Sequence, residues 1–177
     1  MHRTLPVIAA FLLAAALRAQ TVIESIVAKV DDTVILYSEL LQEGALLNLE
    51  NGAPVQTPLS PDLKAKILDS LVVRAMLLVE ARERALPVDE RKVAEMLATY
   101  EKLPYLSDLL KRFELTPTEF RTVVKRRLAA RAALDDHLSR VFPAGRAAPT
   151  DEQKRAATEK WVDTLRRKHR IVYFAIP

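Results

Sequence analysis

Ile26-Val27-Ala28-Lys29-Val30-Asp31-Asp32-Thr33-Val34-Ile35-Leu36 near one end of the chain and Ile171-Val172-Tyr173-Phe174-Ala175-Ile176 at the other decide the fold. In the first stretch Ile26, Ala28 and Val30 alternate with Val27 and Lys29. Asp31-Asp32 then interrupts, and Thr33 to Leu36 is again apolar and mostly β-branched, which reads as a short hairpin. The second stretch is an unbroken β-branched and aromatic run, too short for a helix and suited to a pairing strand. No other part of the chain reads as strand, so the two ends are expected to pair in one small sheet that closes the domain.

Everything between them is punctuated as helix. Three glycines, Gly44, Gly52 and Gly145, stand against ten prolines that mostly separate apolar-periodic runs. Ser38 is expected to cap a first helix over about Ser38 to Glu50, stopped at Asn51-Gly52. Gly52 to Pro61 reads as an extended surface loop with few packing anchors. Ser60-Pro61 opens a long helix whose stripe of Ile67, Leu68, Leu71, Val72, Ala75, Leu78 and Val79 makes it the hub of the core, with Pro87 ending it. Asp89 caps the next, which buries Val93, Met96, Leu97 and Tyr100 and stops before Pro104; Tyr105 to Phe113 is a further short helix. Thr116-Pro117-Thr118-Glu119 is a capping box with proline at the first helical position, and Leu115 is placed to staple to Phe120. That helix runs to about Arg140, with Phe120, Val123, Val124, Leu128, Leu134, Leu138 and Val141 along one side. Residues 142 to 150 read as a linker. Thr150 and Gln153 form a second capping box, ahead of a helix over about Asp151 to Lys168 that presents Trp161, Val162 and Leu165.

Residues 1 to 19 carry a basic Arg3 and an apolar run from Leu5 to Leu17, the pattern of a secretory signal peptide cleaved after Ala19; an uncleaved membrane tether is the alternative, because Arg18 closes the run. On that reading residues 20 to 177 are the mature chain, a single domain. Loss of Arg3 and Arg18 takes the 27 basic residues to 25, against 23 acidic ones. So slight an excess gives no case for nucleic acid as a partner, although the whole-chain pI is 9.4. Absence of cysteine excludes disulfides, thiolate metal sites and a lipoprotein anchor.

Catalytic signatures are missing: no glycine-rich phosphate loop, no histidine pair at metal spacing, no nucleophile elbow. His137 follows Asp135 and Asp136, but neighbours one and two apart on a helix point in different directions. His169, near a helix end among Arg166, Arg167, Lys168 and Arg170, reads as a structural cap. The series Arg121, Lys125, Arg126, Arg127 and Arg131 reads first as a solvated face. Met96, Tyr100, Tyr105 and Phe113 gather around the break at Pro104; they read as ordinary core or as the lining of an adaptable apolar groove for clients.

The order of these elements resembles the N-terminal domain of SurA-like periplasmic chaperones. The strand-turn-strand of Ile26 to Ile35 followed by Ser38-Glu39-Leu40 looks like that family's opening. Ile67 to Val72 with Leu77 to Ala81, Val88 to Val93, and Thr116 to Leu138 are similar to its later helices. Trp161 to Arg166 followed by Ile171 resembles the segment that, in full-length relatives, returns after the parvulin prolyl isomerase domains to complete the core. The resemblance implies a mainly α fold with a small sheet, and an ATP-independent periplasmic holdase for unfolded outer-membrane proteins. It implies no cofactor, no metal and no small-molecule substrate, and it leaves homo-oligomerisation open. Only residues 142 to 149 join the basic helix to the last one, too few for an inserted isomerase domain, so no catalysis is expected. The reading from another class is a structural or adaptor module of an envelope complex.

Overall fold

A computed structural model describes residues 24–145 and 148–177. The expected signal peptide lies outside the described residues. In order come β1 (Ile26–Val30), β2 (Thr33–Leu36), α1 (Tyr37–Glu50), α2 (Pro61–Glu83), α3 (Glu90–Tyr100), α4 (Leu106–Arg112), α5 (Pro117–Val141), α6 (Asp151–Lys168) and β3 (Ile171–Tyr173). The described residues are mainly helical, with six helices and one three-stranded antiparallel sheet in the order β2-β1-β3. The two chain ends therefore do pair: Ala28, Lys29 and Val30 oppose Tyr173, Val172 and Ile171.

The hairpin closes on Val30 and Thr33 around Asp31-Asp32, with Asp31 in the left-handed region at φ 50. Such a two-residue turn requires this conformation, and aspartate is one of the few residues to tolerate it. β3 is shorter than the six-residue run that announces it. After Tyr173 only the Phe174 N–H continues toward β1, donating to the Val27 carbonyl at 3.0 Å.

Helix ends follow local chemistry, with three departures from expectation. Ser38 does not cap α1. The helix begins at Tyr37, and Glu39 reaches back to accept from the Leu36 N–H at 3.1 Å. α2 stops at Glu83, short of Pro87, because Ala85 turns left-handed (φ 48) and the Leu86 N–H donates back to the Ala81 carbonyl at 2.9 Å. The loop after α1 is anchored: Val55 is buried, and its carbonyl accepts from Arg112 at 2.9 Å. At Ser60, Asp89, Thr116 and Thr150 the side chain accepts from the first turn of α2, α3, α5 and α6 respectively.

Two apolar clusters form the core. One joins the sheet to α2, the C-terminal half of α5, and Trp161 and Leu165 of α6. The other joins α1 and Val55 to α3, α4 and the first turns of α5, where Tyr100 and Phe120 meet edge to face with centroids 5.4 Å apart. α5 is common to both: Phe120 and Val124 enter the second cluster, Ala130 and Ala133 the first. Gly44 lets Leu59 pack directly on α1, since a Cβ there would displace the Leu59 side chain.

Candidate functional site

A concave surface among the described residues lies between α2 and α5, next to the free edge of β2. A groove of about 700 Å³ is walled by Ala75, Leu78, Val79, Ala81 and Leu86 of the α2 side and Ala129 of α5, with Thr33 at one end and Arg82 and Arg126 among its lining. A smaller cleft of about 50 Å³ continues from Thr33 and Arg126 toward Ile35, Leu46, Leu71 and Val123. The geometry follows from composition. α2 is apolar on nearly all sides, so after Val72, Met76 and Leu77 are spent on the cores, Leu71, Leu78 and Val79 stay half-buried on the remaining flank. Small residues in α5 keep that flank from being filled.

The smaller cleft, which Glu43 and Arg74 help to line, is held by ions. Glu43 of α1 takes Arg74 of α2 in a two-pronged pair at 2.7 and 2.5 Å, and Arg127 of α5 at 3.1 Å. Arg127 also donates to Glu50 at 2.5 Å and to the Tyr100 hydroxyl at 2.6 Å. Burial disfavours charge on Glu43, but the two guanidiniums outweigh it and hold the carboxyl below the usual range. Burial and Glu50 together push the Tyr100 phenol well up, keeping it protonated. The basic series of α5 is a largely solvated face as expected, but an ion-paired one, and only Arg127 of it is drawn inward. Arg121 and Lys125 pair with Glu90, Arg126 pairs with Glu39 at 3.1 Å, and Arg131 pairs with Asp135 at 2.9 Å.

A second cluster fastens α6. Glu80, 4% exposed, receives Arg84 at 2.8 Å and Lys168 at 2.7 Å, and Arg84 reaches Asp136 at 2.8 Å. His137 lies flat on Trp161, with centroids 4.1 Å apart and planes 1° from parallel. Burial, then the Arg84 charge, holds this imidazole below its ordinary pKa, so it serves packing in its neutral form. His169 does stand at the end of α6, but its ring does not cap carbonyls. Nδ1 lies 2.6 Å from Asp31 Oδ2, which makes it the donor, while Asp31 Oδ1 accepts from the Arg170 N–H at 2.9 Å. Among the described residues no group of three or more His, Asp or Glu side chains is placed to hold a metal ion, and no helix is long and apolar enough to cross a membrane.

Of the four aromatic and methionine positions around Pro104, none lines the groove. Tyr100 is a buried core residue; Met96 and Phe113 are half-buried against the second cluster; Tyr105, left-handed at φ 68, is 40% exposed. Of the groove's lining, Ala75, Leu78 and Val79 are legible in the sequence only as core stripe, because periodicity reports the apolar faces of a helix without saying which is left uncovered.

The profile described as SurA-like N-terminal domain matches residues 4–134, a span that takes in β1 through most of α5. No curated protein matches the chain.

Proposed function

The chain belongs to the SurA-like N-terminal domain family, and from that premise we propose that it is an ATP-independent holdase of the periplasm that keeps unfolded outer-membrane polypeptides from aggregating. The observation that carries this reading is the groove between α2 and α5, where Leu78, Val79 and Leu86 remain half-buried beside cationic side chains. Such a surface receives extended apolar segments through many weak contacts, and no reacting group is required. Export by a cleaved signal peptide belongs to the same proposal. So does the absence of prolyl isomerase activity, since the chain passes from α5 to α6 through residues 142 to 150 alone.

The test is suppression of light scattering from a urea-unfolded outer-membrane protein diluted into buffer, with the mature protein in stoichiometric excess. Wild type is expected to suppress aggregation without ATP and to leave proline isomerisation of a peptide at its uncatalysed rate. Leu78→Glu, which places a charge on the groove wall, is expected to lose most of the suppression, whereas Tyr105→Ser is expected to keep it. Equal suppression by wild type and Leu78→Glu, both folded, removes the groove from the mechanism; clear isomerase turnover overturns the assignment.

A further inference from the structure

β2 is an edge strand whose outer side borders the groove. The Asp31 N–H donates to the Arg170 carbonyl and the Phe174 N–H to the Val27 carbonyl, so odd-numbered residues of β1 turn their main chain toward β3, and Ala28 and Val30 turn theirs toward β2. Their partners Ile35 and Thr33 therefore face inward, and Val34, opposite Lys29, directs its N–H and carbonyl away from the sheet. Leu36, which follows with the same polarity, already gives its N–H to Glu39. The Val34 side chain is 38% exposed, and neighbouring Thr33 lines both the groove and the smaller cleft. An unpaired main-chain edge thus runs beside an apolar trough, the arrangement in which an added strand gains backbone bonds and side-chain pockets together.

Charge identifies the occupant further. Arg82 lines the groove, is exposed, and makes no ion pair among the described residues, unlike Arg126, which Glu39 partly neutralises at 3.1 Å.

We infer that the groove takes a client segment as an extra strand on β2, paired at Val34, and that it favours extended apolar sequences bearing a carboxylate that Arg82 can meet. The inference rests on the holdase reading and narrows it from unfolded polypeptide in general to a conformation and a charge. Backbone pairing supplies affinity independent of sequence, and the alternate side chains of the added strand enter the trough between α2 and α5. Arg82 then sets a preference without contributing to the fold.

The experiment uses the mature protein and two fluorescein-labelled peptides of about nine residues, a typical strand length. Both alternate Val and Thr, one ending in two glutamates and the other in two lysines. Anisotropy is expected to show tighter binding of the acidic peptide by about fivefold at low salt, as an exposed ion pair allows. Arg82→Glu is expected to reverse that order. Amide exchange by NMR is expected to slow at Val34 on saturation with the acidic peptide, while Leu36, already bonded, stays unchanged. Val34→Pro, tolerable at an edge position whose N–H faces outward, is expected to weaken both peptides alike. If that variant fails to fold, the exchange measurement decides alone.

Unchanged exchange at Val34, or equal affinity for the two peptides, overturns the inference. So does a dimer in sedimentation whose Val34 amide is protected without peptide, because a second copy then occupies the edge. If client aggregation is still suppressed in those cases, the holdase reading stands and only strand addition falls. If neither client nor peptide binds, the holdase reading itself falls.

Discussion

Asp31 joins the two ends of the chain, and replacing it measures what that junction is worth. Three things depend on it: the left-handed turn at φ 50, the charge-assisted contact to the buried His169 ring at 2.6 Å, and the 2.9 Å bond from the Arg170 N–H. Asp31→Ala removes both hydrogen bonds and leaves an alanine in a conformation costing about 1 kcal/mol. It also strands His169, which is 8% exposed and whose Nε2 already has no partner among the described residues. Hydrogen bonds to charged groups contribute about 1.5–3 kcal/mol each, and the Asp31 side chain is 42% exposed, so the lower end applies. The sum is about 3–4 kcal/mol, or roughly 10 °C in Tm for a domain of this size. Asp31→Gly loses the same bonds without the backbone strain and is expected to be about 1 kcal/mol less damaging. Asp31→Asn keeps the turn and an acceptor for Arg170 and is expected to fall between wild type and glycine. Urea unfolding followed by far-UV circular dichroism gives the three values. A loss below about 0.5 kcal/mol in Asp31→Ala, or alanine and glycine variants of equal stability, refutes this account of the closure.

Trp161→Ala is expected to cost about 3–5 kcal/mol, because it empties the ring's place in the first cluster and deprives His137 of its stacking partner; a shift in urea midpoint worth under 1 kcal/mol counts against α6 as a core element. Tyr100→Phe keeps the ring against Phe120 and loses only the hydroxyl bonds to Glu50 and Arg127, so a loss of about 1 kcal/mol with unchanged near-UV spectrum is expected. Stability is expected to fall in two stages on acidification. The neutral form of His137 contributes fully above the unfolded pKa of about 6.5, and that contribution is lost as pH falls through its lower folded value. Burial opposes charge on Glu43 and Glu80, but Arg74 with Arg127 and Lys168 with Arg84 hold them below the ordinary glutamate value of 4.5. Their share persists above that value and disappears as pH falls through the folded one. Denaturation midpoints from pH 7.5 to 3 check this, and His137→Phe is expected to flatten the upper stage alone.

The elements of this fold were readable wherever one residue type forces a local conformation. Proline after a serine or threonine fixed the starts of α2 and α5, Gly52 at φ 70 ended α1, and six consecutive apolar residues announced β3. Less was readable where tertiary contact decides. Nothing local marks Ala85 and Glu114 as left-handed helix stops, since neither is glycine. Val55 and Leu59 looked like loop residues because only α1, α2 and α4 around them make the loop an anchor. The apolar pattern of α5 points to larger residues such as Val141, which is 43% exposed, although it is Ala130 and Ala133 that are buried in the core. The candidate groove is hidden in the sequence for the same reason. Aromatic residues draw attention as ligands for clients, yet Tyr100 is committed to the core, and the uncovered surface is made of aliphatic side chains on a helix that merely looked central.

Because β3 pairs with β1 while Trp161 and Leu165 of α6 enter the first cluster, the last 27 residues form a plug that completes a body built by the rest. Severing the peptide between α5 and α6 would leave two fragments held together by Trp161, Leu165, the Lys168–Glu80 ion pair, the Asp31–His169 contact and one strand ladder. Complementation in trans, with the tail supplied as a synthetic peptide, is therefore expected, and the shorter fragment offers a handle for labelling the folded protein without touching the groove between α2 and α5.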